Sequence, residues 1–168
     1  MTQQPFRERV LHEGLITALA VGGFLIILGT VFGLTPGLPQ KVVDFFSDLT
    51  ARSLSAGGTL FLPAPAHPEQ HIDFYNGVFN FMVGIGLLQI IILALRLVFH
   101  SRLRRVSETV GNLIFWLGGA LVANIYLLKG TLDGWFSFWA ALIILVGVSL
   151  IVRSLIHISK KWDKHNHS

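Results

Sequence analysis

The chain has no cysteine, which excludes a disulfide, a thiolate metal ligand and a cysteine nucleophile. Charge is nearly as scarce: Asp, Glu, Lys and Arg make up 13% of 168 residues, against about a quarter in an ordinary soluble domain. None of it falls in residues 14–34, 74–95, 111–128 or 134–152. Enzyme signatures are missing too. His12-Glu13 lacks the second histidine of a zinc-protease helix, Lys129-Gly130-Thr131 lacks a phosphate-loop frame, and no Gly-x-Ser-x-Gly occurs. No catalytic residue and no cofactor is predicted.

What the chain has instead is apolar sequence: 52% hydrophobic residues and a mean hydropathy of +0.64. Each uncharged stretch approaches or exceeds the roughly 20 residues that cross a bilayer as a helix. The reading is a single all-α membrane domain over 1–168, a four-transmembrane-helix bundle with spans at about 14–34, 74–99, 110–128 and 134–156. Arg7 and Arg9 precede the first span, but its apolar run is longer than a signal h-region and no small-residue cleavage site follows, so a retained anchor is expected.

Between the first two spans, residues 40–54 place Val42, Val43, Phe45, Phe46, Leu49 and Leu54 on one half of a helical wheel and Lys41, Asp44, Asp48 and Arg52 on the other. The pattern predicts an interfacial amphipathic helix acting as an outer lid, with Lys41–Asp44 and Asp48–Arg52 pairs along its polar face. Residues 55–65 read as an irregular loop, and Pro68-Glu69 as a helix start. Gly14, Ala18, Gly22, Gly29 and Gly33 form a small-residue seam in the first span, predicting close packing against a neighbour.

Ten of the 13 Lys and Arg residues lie in the N-terminal segment, the second connection and the C-terminal segment, against three in the first and third connections. The positive-inside rule then puts both termini in the cytoplasm of a multi-pass cell-membrane protein. The net charge of +4 sits beside apolar spans, so anionic lipid headgroups, not nucleic acid, are the expected partner, with Arg102, Arg104, Arg105 and Lys160 as the contacting cations.

Three constellations carry chemistry. Glu69, Asp73, Asn76 and Asn80 fall within about 60° on one helix face, and Asn124 on the antiparallel third span reaches a depth similar to Asn80, giving an outer ligand- or cation-binding stripe. Asparagines that fasten helices to one another are the plainer account of the same residues. His67 and His71 alternate with Glu69 and Asp73 and are metal-ligand candidates, although a helix turns His71 away from the two acids unless a second segment joins them. His12, His100 and His157 end three spans at comparable depth, which is the pattern of haem ligation between helices, while histidines meeting headgroups give the same pattern. The favoured function is structural or binding, as a homo-oligomer or a subunit of a membrane complex. A small transporter or channel using the outer stripe is the alternative, and a membrane enzyme or haem-binding electron carrier a third.

Overall fold

The computed structural model describes residues 4–53 and 58–165, with side chains described for 11, 13–53 and 58–156. It contains α1 (Gln4–Leu34), α2 (Leu38–Ser47), β1 (Leu49–Ser53), β2 (Phe61–Pro65), α3 (Ile72–Val98), α4 (Leu103–Tyr126) and α5 (Leu132–His165), with a 3₁₀ turn at Pro68–His71 and another at Leu127–Lys129. Four helical segments, Glu13–Leu34, Pro68–Val98, Leu103–Lys129 and Leu132–Ile156, are long and apolar enough to cross a membrane. Their outer faces are apolar as well: Ile26, Ile143 and Ile144 are 70%, 72% and 68% exposed. An apolar surface of that kind suits lipid and not water, so the fold fits a small multi-pass membrane protein.

The helices pack in series, α1 on α3, α3 on α4, and α4 on α5. The short connection after the third span sets α5 beside α4, because the 3₁₀ turn leaves only a few residues in which to reverse. Gly130 ends that turn with φ +60°, and a Cβ there would lie 2.6 Å from Ile72 Cδ1 and 3.1 Å from Glu69 Cα. Glycine is needed at 130 both for the left-handed backbone and for the approach of α3.

Several boundaries differ from the sequence reading. The basic segment after residue 101 is not a linker, since α4 begins at Leu103 and carries Arg104 and Glu108 one turn apart. The amphipathic helix is shorter than 40–54. α2 stops at Ser47, and Leu49–Ser53 pairs antiparallel with Phe61–Pro65, Leu49 opposite Pro65 and Ser53 opposite Phe61. Residues 61–65 of the expected loop are thus a strand, because the backbone groups of 49–53 find partners across the hairpin that a continued helix would not supply. Neither expected pair forms among the described residues: Lys41 of α2 pairs instead with Asp73, Gln40 Nε2 donates to Asp44 Oδ1 at 2.8 Å, and in the strand Arg52 Nη2 donates to the Ala66 carbonyl at 3.1 Å.

The glycine seam of α1 also behaves differently. Within the chain α1 packs through Ile16, Gly23 and Ile27: Ile16 clusters with Leu88 and Ile92, a Cβ at Gly23 would lie 2.6 Å from Leu88 Cδ1, and one at Gly84 would lie 2.7 Å from Ile27 Cγ2. Gly14, Gly22, Gly29 and Gly33 have nothing within 4 Å of where a side chain would begin. The seam is an open face, since large α3 side chains meet the neighbouring arc of α1 first.

Glycines under contact and glycines in the open predict opposite responses. At Gly134 a Cβ would fall 2.3 Å from the backbone oxygen of Tyr126, so Gly134→Ala has to move main chain and should cost about 1–3 kcal/mol, whereas Gly147→Ala meets nothing within 4 Å and should be neutral or slightly stabilising. Thermal unfolding of both variants in one detergent checks this, and equal midpoints would contradict the α4–α5 packing.

Candidate functional site

The end of the molecule carrying α2 and the hairpin is built on Phe45 and Asp48. Phe45 is 4% exposed, near the end of the apolar face of α2. Its ring stacks on Phe74 at 4.6 Å and meets His71 at 5.3 Å, Trp135 at 5.6 Å and Tyr75 at 6.1 Å between centroids. One side chain of α2 therefore joins α3 and α5 through a ring cluster, each favourable pair contributing about 0.5–1.5 kcal/mol beyond its buried area.

Asp48 caps the C-terminal end of α2, where its N–H reaches the carbonyls of Asp44 and Phe45. Its carboxylate receives three donors: the backbone N–H of His67 at 2.8 Å on Oδ2, His67 Nδ1 at 2.8 Å on Oδ1, and His71 Nε2 at 3.0 Å on Oδ2. The Asp48 carbonyl accepts from Ala66 N at 2.9 Å, and Trp135 Nε1 donates to the Pro63 carbonyl at 3.1 Å, so the hairpin is tied at both edges. Burial works against the charged carboxylate, but the His67 side-chain and backbone donors and His71 outweigh it and hold Asp48 well below the usual carboxylate range.

Two cavities flank this cluster. A polar one of about 410 Å³ is lined by Lys41, Asp44, Asp48, Gln70, His71 and Asp73. The other, about 650 Å³, is almost wholly apolar, with Phe45, Tyr75, Met82, Trp135, Phe138 and Trp139 on its walls. Tyr75 is 1% exposed and its buried hydroxyl has no hydrogen-bond partner. Phe74 contributes a wall to both.

The residues expected to form the outer stripe are dispersed. Glu69 and Asn80 are exposed, Asn76 is half-buried and Asn124 is exposed on α4. Asp73 is exposed and pairs with Lys41 of α2, while Lys129 lies 5.7 Å from the ring of Tyr126. No hydrogen bond joins Asn80 to Asn124 among the described residues. The structure does bring His67 and His71 together, through Asp48, a residue outside the expected ligand set. The i,i+4 spacing of Asp48 and Arg52 pointed to a local ion pair, and only the hairpin reversal carries Asp48 to the histidines. No three His, Asp or Glu side chains among the described residues are grouped to hold one metal ion. Of the haem candidates, His100 is exposed in the α3–α4 turn with φ +49°, and the side chains of His12 and His157 lie outside the described residues, as does that of Lys160. Arg104 pairs with Glu108 at 3.2 Å and Arg105 with Glu13 at 2.5 Å, while Arg102 stands at the start of α4. No protein-family profile, curated protein or solved structure matches this chain.

The depressed Asp48 carboxyl gives a signed prediction. A carboxyl held below its ordinary value of about 3.9 stabilises the fold fully above that value and progressively less as pH falls toward its folded value. Asp48→Asn should therefore lower the unfolding midpoint by a constant amount from pH 7 to about 5, and the gap from the unaltered chain should close below about pH 4. A gap that stays constant down to pH 3 would show that the charge of Asp48 contributes nothing.

Proposed function

We propose that this chain is a multi-pass integral membrane protein with cytoplasmic termini whose role is binding. In this reading α2 and the hairpin cap the outer end of α3 and α5 and hold an apolar chain, such as a lipid acyl group, in the aromatic chamber beneath them. The supporting observation is the cavity of about 650 Å³ walled by Phe45, Tyr75, Trp135, Phe138 and Trp139. Concave apolar walls with few polar groups are the usual form of a site for an apolar ligand. The orientation rests on the ten-to-three distribution of Lys and Arg. The stripe of Glu69, Asp73, Asn80 and Asn124 favours transport less, because those side chains are exposed.

The test is saturable quenching of Trp135 and Trp139 fluorescence by a brominated fatty acid in detergent micelles. Val78 lines the same chamber, and Val78→Phe fills part of it, so binding should weaken about tenfold, the loss of roughly two buried methylenes, with helical content unchanged. Quenching that never saturates, or that is identical in Val78→Phe, would remove the binding reading.

A separate observation favours self-association. Gly22, Gly29 and Gly33 leave one face of α1 open to backbone approach by a second helix. The double variant Gly29→Leu, Gly33→Leu should abolish energy transfer between labelled copies in liposomes while leaving the monomer's unfolding midpoint unchanged. Undiminished transfer would exclude that face.

A further inference from the structure

The opposite end of the molecule, where α3 turns into α4, carries an arginine cluster whose charges are only partly matched. Arg105 is neutralised by Glu13 and Arg104 by Glu108. Arg96, Arg102 and Arg153 make no direct ion pair with a carboxylate among the described residues, although Glu13 and Glu108 act on Arg96 at longer range. Arg96 Nη1 donates to Thr109 Oγ1 at 2.6 Å and to the Arg105 carbonyl, and Arg153 Nη2 donates to Asn112 Oδ1. In both guanidinium groups Nε is buried and has no acceptor. A Cβ at Gly111 would lie 2.2 Å from Arg153 Nε and 2.5 Å from its Cγ, so glycine at 111 lets Arg153 lie flat against α4.

Arg96 lines a cavity of about 260 Å³ between α1, α3 and α4. Gln89, Thr109 and Asn112 share its polar side, and Ile16, Ala20 and Ile92 supply an apolar wall. With Oδ1 of Asn112 engaged by Arg153, that amide has its N–H donors left to offer. Glu108 also reaches the wall, its carboxylate held by Arg104. Excess positive charge, the Arg96 guanidinium and amide donors at one end, with an apolar wall at the other, are complementary to a phosphate group that carries an acyl tail.

We infer that the cavity between α1, α3 and α4 binds a phosphate group, seated on Arg96 and Asn112, with an anionic phospholipid as the occupant its apolar wall favours. This site is distinct from the chamber beneath α2 and narrows the expectation of general headgroup contact by the basic surface to one half-open cavity. Arg96 selects phosphate by charge-assisted hydrogen bonds, and Ile16, Ala20 and Ile92 accept the first part of the tail.

The experiment is native mass spectrometry and thermal unfolding of the full chain with phosphatidylglycerol, phosphatidylcholine or inorganic phosphate. The unaltered protein should retain phosphatidylglycerol over phosphatidylcholine and unfold at a higher temperature with it. Arg96→Gln should reduce that retention by about tenfold or more, as expected on losing a charge-assisted hydrogen bond, while Arg102→Gln, an equal charge change outside the cavity at a side chain that meets headgroups only from the surface, should reduce it by a severalfold smaller factor. Ala20→Leu narrows the cavity with every charge retained and should also reduce it, which keeps the test valid if Arg96→Gln does not fold. Stabilisation by inorganic phosphate that competes with phosphatidylglycerol and is lost in Arg96→Gln supports the same phosphate seat with the free ion as occupant. Equal losses in Arg96→Gln and Arg102→Gln, or undiminished retention in Ala20→Leu, would overturn the proposal in favour of diffuse surface attraction.

Discussion

Asp48 joins the parts of this chain that hydrophobic packing alone would leave loosely connected. A two-stranded hairpin is marginal by itself in water. Here its first strand follows directly from Asp48, and its second returns to the His67 and His71 donors that satisfy the carboxylate. Hydrogen bonds to a charged group contribute about 1.5–3 kcal/mol each, while an ion pair as exposed as Lys41–Asp73, whose Asp side chain is 68% accessible, contributes about 0–1 kcal/mol. Asp48 therefore decides where the hairpin sits, and the Lys41 pair adjusts it. Phe45, three residues earlier, performs the matching apolar task by filling the space between α2, α3 and α5.

The long helices rest on a different balance. Between apolar helices in lipid, little is gained by moving a side chain from bilayer to protein, so shape decides packing. Gly84 accepts Ile27, Gly86 lies against Leu117, and Gly118 against Leu145, each a glycine on one helix beside a branched side chain on the next. The bulk of the ion pairs and unpartnered polar atoms fall near the helix ends, where water or headgroups are in reach. The two ends then differ in kind: one is aromatic and locked around a carboxylate, the other rich in arginine and short of acidic partners.

The division between chamber and arginine cavity also explains why the polar residues most conspicuous along the chain are not those most enclosed. Glu69, Asp73, Asn80 and Asn124 stand out as polar residues near apolar spans, yet they lie on the surface. Arg96 and Arg153 look like ordinary flanking charges, yet each buries its Nε against α4. Long side chains with apolar stems can fold back along a helix, so position in the chain is a poor guide to where an arginine head ends.

Hydrophobic run length alone determined the four long apolar helices and their approximate limits, because a bilayer-length segment free of charge has few other stable forms. The helix start at Pro68-Glu69 was legible for the same kind of local reason, backbone geometry that few residues allow. The amphipathic pattern of α2 was readable from Gln40 to Ser47 but not where it stops, since Leu49 and Arg52 continue the helical period while their backbone pairs with Pro65 and Leu62 across the hairpin. The Asp48–His67–His71 cluster, the outward turn of the α1 glycines and the arginine cavity were left to tertiary structure. Each depends on which helix face meets which neighbour, a choice made by the fit of side chains from distant segments that no local period encodes.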